Sequence, residues 1–406
     1  MYDLPDLWDY PTPLSAFHDE RADAIFGQRC EESEYGTLQY HTALIILWRL
    51  LRDTRCATRT LDPEEADLFL APTFPARRGQ AAWKNCDHVE DLGRHLLYLN
   101  PRTAHRHLFI LNKGHTADKC RWWLQHKVRG EPDLLTRSMR FAYSPPYRVK
   151  EGEEHDQPHA AGAFHGVAVG SSHGPTPFDD DALAQQLRVD PADAWDPTVG
   201  YPHAVSIPYT SDIHAYRGTR PWAQINAKRE RLAMYVGHQH GKYGLATRDR
   251  VFAECSNAAN ATCQVYDPLD IKHKCGSFAT IHRSAIFCFE PGGDSPYRKG
   301  FYDAMLAGCI PVIFSLQNEL VAPWFVPKGV AVRLSERAYS NGTFKALDVL
   351  RRIPSAEIRR RQSIIRKHGH RLQYAVDDQG KEPDAVETLF VGALGLAHDL
   401  AHLYQV

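Results

Sequence analysis

One stretch of the chain, residues 284–315, contains in close succession the marks of a strand, a loop, a helix and a second strand. Residues 285–289 are a continuous apolar run, which is typical of a strand buried on both faces of a parallel sheet. Residues 291–296 are rich in proline and glycine, and a helix is predicted at 297–306. A second apolar run follows at 309–314. Parallel strands need a helical crossover, so this unit predicts an α/β fold.

The loop and the start of the helix have the composition of a phosphate-binding site. Gly292 and Gly293 let the backbone approach a ligand, and the helix N-terminus offers unpaired N–H groups to an anion. Ser295 can cap the helix or donate to a phosphate oxygen, and Arg298 can pair with phosphate through two hydrogen bonds. Asp303, further along the helix, can accept hydrogen bonds from ribose hydroxyls.

The same pattern is also typical of an ordinary strand-to-helix turn, in which Asp294 and Ser295 only cap the helix. Spacing alone leaves both interpretations open. The glycines do not follow the G-x-G-x-x-G spacing of dinucleotide-binding proteins, and the window lies late in the chain instead of at its first strand. A dehydrogenase is therefore disfavoured.

Elsewhere in the chain, apolar strands and helices alternate. Strands are predicted at residues 68–72 and 107–111, and a further strand, 231–237, ends in a glycine. Helices are predicted at residues 37–52 and 247–255. This alternation favours parallel sheets with crossover helices.

Four further segments complete the expected organisation. Residues 61–67 predict a turn and the start of a short helix with acidic residues in its first turn. Residues 356–373 predict a basic amphipathic helix with a solvated charged face, and residues 384–403 predict an apolar-periodic helix. Residues 146–200, rich in Gly, His, Asp and Pro, predict an irregular surface insert whose histidines lack regular ligand spacing.

The length and the charge balance limit the class of protein. The chain has 406 residues, and a single core stops growing at roughly 250–300 residues, so two domains are expected. Lys plus Arg number 48 and Asp plus Glu number 49, which gives no electrostatic reason to expect nucleic acid or an anionic membrane as a partner. No apolar run approaches the roughly 20 residues that span a bilayer, and no signal-peptide pattern is present, so no membrane anchor is expected in this chain.

Nine cysteines are present, without a C-x-x-C pair or a His/Cys cluster at zinc spacing, so a structural zinc site is not expected. Cys255 and Cys263 are close enough in sequence to pair across a short loop. Cys288 and Cys309 flank the glycine-rich loop on two predicted neighbouring strands. There, buried free thiols are favoured over a disulfide, because free cysteine is among the most buried residue types.

Residues 287–298, FCFEPGGDSPYR, followed by residues 301–312, FYDAMLAGCIPV, resemble the signature of the exostosin-like glycosyltransferase family. The similarity is greatest to the plant and algal branch, which includes xyloglucan galactosyltransferases. Further stretches resemble the family in the same order, at residues 2–5, 39–40, 62–72, 206–209, 231–237 and 248–255. The resemblance therefore covers most of the chain.

The resemblance implies a GT-B type fold, with two Rossmann-like domains facing a cleft. Residues 1–220 would form the N-terminal acceptor-side domain, including the irregular insert near 146–200. Residues 221–375 would bind the nucleotide-sugar, and residues 376–406 would form a C-terminal helix that packs back on the first domain.

The implied activity is transfer of a sugar from a nucleotide diphosphate sugar, a UDP-sugar in the first instance, to a glycan hydroxyl with inversion and without a metal. No metal or other cofactor is expected, because cationic side chains and a helix N-terminus can stabilise the departing diphosphate. The run at residues 179–181 fits an Asp-x-Asp metal motif formally, but it lies in the irregular insert. The expected donor-binding residues are Arg248, Gly292, Gly293, Asp294, Ser295, Arg298 and Asp303.

The general base is less well defined by the sequence. His107 is the leading catalytic candidate, because it opens a core strand of the acceptor domain and histidine titrates near neutral pH. A histidine that only packs at a strand end is the more frequent alternative. Asp19, His18 and Glu34 are further candidates that sequence does not rank.

A second hypothesis is a non-catalytic member of the same fold that binds glycan or stabilises another glycosyltransferase. The unmatched insert and Arg106, in place of the family's aspartate before His107, keep this alternative open. The expected partners of an active enzyme are the nucleotide-sugar donor and the glycan acceptor, with association with another glycosyltransferase as an option. The resemblance implies the Golgi lumen, and two N-x-S/T sequons at Asn260 and Asn341 agree with a secretory location.

Overall fold

The computed structural model of the chain describes residues 41–52, 60–71, 96–111, 134, 137–143, 204–239, 245–271, 277–293, 298–314, 322, 324–376 and 382–404. These residues form two β-sheets, and every strand pair in both sheets is parallel. The expected α/β class with parallel sheets is therefore confirmed. The predicted insert at 146–200 lies outside the described residues.

The first sheet has four strands whose spatial order follows the sequence. They are β1 (Phe69–Ala71), β2 (His107–Leu111), β3 (Met139–Ala142) and β4 (Ala204–Ser206). The strands predicted at residues 68–72 and 107–111 are confirmed as β1 and β2. A helix, α1 (Thr42–Arg52), lies against β2 and is buried along most of its length, because its sequence is apolar on nearly every side.

The second sheet has five strands in the order β6-β5-β7-β8-β9. They are β5 (Arg231–Val236), β6 (Cys263–Tyr266), β7 (Ala285–Glu290), β8 (Ile310–Ile313) and β9 (Val332–Arg333). Strands β7 and β8 are the two apolar runs of the central motif, and both are buried because neighbouring strands and helices cover them.

Four helices connect the strands of the second sheet. They are α2 (Leu245–Ser256), α3 (Pro268–Ile271), α4 (Ser277–Arg283) and α5 (Lys299–Leu306). Helix α5 ends two residues before Gly308, whose φ of 73° lies in the left-handed region that glycine adopts without strain. The predicted strand, loop, helix and strand are thus all present in the predicted order.

The C-terminal part of the described chain is helical. Its helices are α6 (Glu336–Ser340), α7 (Ala346–Arg351), α8 (Ser355–His368) and α9 (Ala385–Tyr404). None of the helices among the described residues combines the length and apolarity that crossing a bilayer requires. The helix predicted at 384–403 is confirmed as α9.

Two helix predictions were wrong in detail. The helix predicted at 356–373 ends at His368 and continues as a 3-10 turn, Gly369–Leu372. The chain turns there because Gly369 lies directly against the Trp222 indole, where a Cβ would come within 2.6 Å of Cγ. Of the turn and helix start expected at 61–67, only the turn is present, because the Asp62 carboxylate accepts the Glu64 N–H at 2.9 Å.

The two sheets share one continuous hydrophobic core. The Phe141 ring of β3 lies 5.9 Å from the Trp324 ring, between centroids. The Tyr374 hydroxyl donates to the Pro208 carbonyl at 3.0 Å, just beyond β4. These contacts join two Rossmann-like parallel sheets, and the arrangement agrees with the α/β architecture that was expected. The residue ranges expected for the domains stay a prediction.

Two disulfides are present among the described cysteines. Cys255 is bonded to Cys263, as the short sequence separation suggested. Cys288 is bonded to Cys309, so the expectation of free thiols was wrong for this pair. The reason lies in the sheet: β7 and β8 are hydrogen-bonded neighbours, which brings the two Cα atoms to 6.0 Å, within the usual range for a disulfide.

A buried ion pair connects the first helix to the last. Arg49 on α1 pairs with Asp384, the residue before α9, and both side chains are almost fully buried. Arg49 also donates to the Ala375 carbonyl at 3.0 Å. The Asp384 carboxylate in turn accepts the N–H groups of Ala375 at 2.8 Å and Val386 at 2.9 Å. Both Arg49 and Asp384 are therefore held by hydrogen bonds in addition to the ion pair.

We expect Asp384→Ala to lower the free energy of unfolding by about 3–5 kcal/mol, because it leaves the Arg49 guanidinium buried without its counter-ion. Chemical denaturation followed by circular dichroism measures this. Asp399→Ala removes an exposed acid from the same helix and should change stability by less than about 0.5 kcal/mol. A loss below about 1 kcal/mol for Asp384→Ala would contradict the expected role of the pair.

Candidate functional site

The strand order of the second sheet creates a crevice between β5 and β7. The chain places β6 on one side of β5 and then returns to place β7 on the other side. Ligands of open parallel sheets bind outside the carboxyl ends of the strands at such a reversal. We call the group of residues found there the strand-end site, and it consists of Tyr235, Gly237, Arg248, Glu290 and Arg298.

Tyr235 forms the base of the strand-end site. Its ring is fully buried at the end of β5, and its hydroxyl donates to the His238 carbonyl at 3.1 Å. The same hydroxyl accepts a hydrogen bond from Nε of Arg248 at 3.2 Å, so the first turn of α2 is held against the end of β5. A Cβ on Gly237 would collide with the Tyr235 hydroxyl, and this explains why β5 ends in a glycine.

Arg298 is the residue directly before α5, and its side chain extends into the strand-end site. Its Nη2 donates to the Val236 carbonyl at 3.3 Å, which anchors the guanidinium at the end of β5. A Cβ on Gly293 would approach the Arg298 Cδ to 3.3 Å, so the glycine-rich loop packs closely on this side chain. The second terminal nitrogen, Nη1, is buried and has no hydrogen-bond partner among the residues that the structure describes. A guanidinium held in this way is suited to pair with an anion.

Glu290 is the last residue of β7 and is buried beside Arg298. Burial raises the pKa of its carboxyl to about 8, although the nearby Arg298 charge opposes the rise. Its Oε2 atom has no hydrogen-bond partner. Below pH 8 the carboxyl is therefore mainly neutral, and the cationic side chains dominate the charge of the strand-end site.

A second charged cluster lies one step further along α5. Lys299 donates to Asp303 at 2.8 Å and to Asp212 at 3.1 Å, and the Ser211 hydroxyl donates to Asp303 at 2.5 Å. Burial alone would lower the pKa of Lys299, but Asp212 and Asp303 raise it above its usual value. Asp212 and Ser211 follow β4, so this cluster ties the first sheet to α5.

The structure brings four of the predicted donor-binding residues together. Arg248, Gly292, Gly293 and Arg298 all lie at or beside the strand-end site. Asp303 belongs to the adjacent cluster, where Ser211 and Lys299 each donate to one of its oxygens. A role for Asp303 with ribose stays a prediction. Asp294 and Ser295 lie outside the described residues.

His107 is not part of this site. It is the first residue of β2 and is fully buried, with its ring stacked 4.7 Å from that of Phe69. Its Nδ1 atom lies 2.8 Å from the Thr103 carbonyl. These contacts favour packing at the amino end of a strand, and the catalytic role stays a prediction. Asp19, His18, Glu34 and residues 179–181 lie outside the described residues.

The described residues contain no group of three or more His, Cys, Asp or Glu side chains placed to hold a metal ion. The positive charge of the strand-end site comes from Arg248 and Arg298.

Sequence reasoning missed Tyr235, Glu290 and Lys299. Gly237 at the end of β5 was a usable signal, because a glycine there indicates a close approach by another group. Glu290 directly precedes the glycine-rich loop and was visible as a lone acid after an apolar run. The importance of Lys299 was not visible, because its partner Asp212 is distant in sequence.

Residues 158–344 match the family described as the Exostosin GT47 domain. The match includes strands β4 to β9 and hence the whole strand-end site. The resemblance carried by the motif at residues 287–312 is therefore confirmed over this part of the chain.

Relatives with significant similarity come from Arabidopsis thaliana. The protein named probable xyloglucan galactosyltransferase GT12 is 26% identical over 48% of this chain and 39% of its own length. Xyloglucan galactosyltransferase XLT2 is 27% identical over 98% of this chain and 73% of its own length. The chain thus spans less than half of the first of these relatives. The crystal structure of the glycosyltransferase SnogD from Streptomyces nogalater aligns over 76% of this chain and 72% of that one, with 14% identity and a TM-score of 0.32.

We expect Lys299→Met to lower the free energy of unfolding by about 3 kcal/mol, because Asp212 and Asp303 would then lie close together without a cation. Lys228→Met, at an exposed position before β5, is the matched control and should be nearly neutral. Denaturant unfolding of the variants gives both values. Equal stability of Lys299→Met and the unmodified protein would show that the cluster contributes nothing measurable.

Proposed function

We propose that this protein is a glycosyltransferase that moves a sugar from a nucleotide diphosphate sugar to a hydroxyl of a glycan, with inversion at the anomeric carbon. The single observation that supports this most is Arg298. Its guanidinium is anchored at the crevice between β5 and β7, and its buried Nη1 has no partner. The site lies within the region that matches the Exostosin GT47 domain.

The transfer reaction has three parts. A base must remove the proton of the acceptor hydroxyl as its oxygen attacks the anomeric carbon. The bond from that carbon to the phosphate oxygen breaks, and its electron pair leaves with the nucleoside diphosphate. Fixed positive charge must stabilise the charge that develops on this leaving group. We assign the third task to Arg298, with Arg248 supporting it from the first turn of α2.

We propose a UDP-sugar as the donor and metal-independent transfer. Arg298 and Arg248 supply positive charge to the crevice, and Gly293 of the glycine-rich loop lies directly against Arg298. The names of the relatives make galactose the first sugar and xyloglucan the first acceptor to test. His107 remains a candidate for the base, although its packing against Phe69 does not favour that role.

We propose the Golgi lumen as the location. Two disulfides among the described residues agree with an oxidising compartment. The sequon residues Asn260 and Asn341 are both exposed, as glycosylation requires.

Arg298→Ala should weaken binding of UDP by about 10- to 100-fold, because the diphosphate loses a charge-assisted hydrogen-bond donor. Calorimetric titration of the purified protein with UDP measures the affinity. Arg352→Ala removes an exposed arginine between α7 and α8 and should leave the affinity unchanged. Full UDP affinity in a folded Arg298→Ala variant would place the donor elsewhere.

We expect transfer of galactose from UDP-galactose to xyloglucan oligosaccharides that lack galactose, with the same rate in the presence of a metal chelator. Because UDP-galactose carries an α-linked sugar, a β-linkage in the product, read by NMR, would support inversion. UDP binding without transfer to any glycan tested would favour the non-catalytic alternative. Loss of transfer on chelation would contradict metal independence.

A further inference from the structure

The inference concerns Glu290 and rests on the proposed donor site. Glu290 lies at the carboxyl end of β7, in the same crevice as Arg298, and is 3% exposed. Its carboxyl group lies directly on the first turn of α5, because a Cβ on Gly300 would come within 2.5 Å of Oε2 and 2.9 Å of Oε1. Only glycine fits at position 300, because the Glu290 carboxyl occupies the space that a side chain there would need.

Two buried atoms of opposite character lie unpaired in this crevice. Oε2 of Glu290 and Nη1 of Arg298 are both buried, and neither has a hydrogen-bond partner within the described ranges of the chain. If the role of Glu290 were to neutralise Arg298, these atoms would be expected to bond to each other, as Arg49 and Asp384 do elsewhere in the chain. In the part of the chain that the structure describes, Glu290 and Arg298 therefore do not neutralise each other through a direct hydrogen bond.

The charges around Glu290 come from three elements. Those that act on it are Arg298 before α5, Lys299 and Asp303 on α5, and Arg248 on α2. Lys299 is already engaged by Asp212 and Asp303, so it offers Glu290 little net positive charge. From α4, His282 faces the same cluster, and burial lowers its pKa and keeps it neutral. An ionised Glu290 would therefore compete with a bound anion for two cations, Arg298 and Arg248.

We propose that Glu290 is a positioning residue that must be protonated for the donor diphosphate to bind at Arg298. In the neutral state, the carboxyl leaves Arg298 free to pair with the diphosphate. In the ionised state, it attracts the guanidinium and repels the diphosphate. Binding of the donor to the ionised form therefore takes up one proton from solution, and the proton resides on the Glu290 carboxyl.

The direction in which donor affinity changes with pH follows from the pKa of Glu290. Burial raises the pKa of Glu290 to about 8, so the carboxyl is mostly protonated at pH 7 and mostly ionised at pH 9. Donor affinity should be high at pH 7 and fall as the pH rises through 8. If only the protonated form binds, a group with this pKa gives a loss of about tenfold in affinity from pH 7 to pH 9.

The test is calorimetric titration with UDP between pH 7 and pH 9, a range in which the UDP phosphates, whose last pKa is near 6, stay ionised. We expect the unmodified protein to lose about tenfold in affinity, and Glu290→Gln, which mimics the neutral carboxyl, to keep the pH 7 affinity throughout. Glu230→Gln, an exposed glutamate before β5, should keep the pH dependence of the unmodified protein.

A second measurement does not depend on a variant. Titrations of the unmodified protein at pH 8 in two buffers of different ionisation enthalpy should show uptake of about half a proton for each UDP bound. UDP binding without proton uptake, or the same pH dependence in Glu290→Gln, would overturn the inference and leave the proposed function intact. Absence of UDP binding to the unmodified protein at any pH would overturn both.

Discussion

The pairing of Lys299 with Asp212 and Asp303 is the interaction on which the geometry of the site depends most. Asp212 belongs to the segment after β4, whereas Asp303 lies on α5, so one buried ammonium holds the two sheets in a fixed relation. Arg298 is the neighbour of Lys299 in sequence, and its position at the end of β5 follows from where this cluster holds the start of α5. The same contact therefore joins the first sheet to α5 and orients the candidate ligand site.

Lys299 and Glu290 show how similar burial gives opposite protonation behaviour. Both side chains are largely removed from water, which disfavours the charged form of each. Lys299 keeps its charge because two carboxylates lie within 3.1 Å of its ammonium group. No cation of the described residues is in hydrogen-bond contact with Glu290, so burial prevails and the pKa of its carboxyl rises. The protonation state of each group thus depends more on the partners that the fold supplies than on burial alone.

The sequence predicted the features that depend on local order along the chain. The strand, loop, helix and strand at residues 284–315 follow from apolar runs and glycine positions, which act within a few residues. Features that depend on sheet order were missed or wrong. Cys288 and Cys309 were expected on neighbouring strands, but their bond depends on the 6.0 Å between their Cα atoms, and the grouping of Tyr235 with Arg298 requires β5 beside β7. Sequence spacing carries no direct record of that distance or of that strand order.

Each glycine around the site is required by a different close contact, and these contacts limit the space that the crevice leaves for a ligand. Gly293 lies against Arg298, and Gly237 lies against the Tyr235 hydroxyl, so both let a polar group of the protein pack closely. Gly300 makes room for the Glu290 carboxyl in the same way. Each of these contacts fills space with the protein's own side chains. A diphosphate that pairs with Arg298 would therefore have to reach Nη1, the guanidinium nitrogen that is buried and has no hydrogen-bond partner among the described residues.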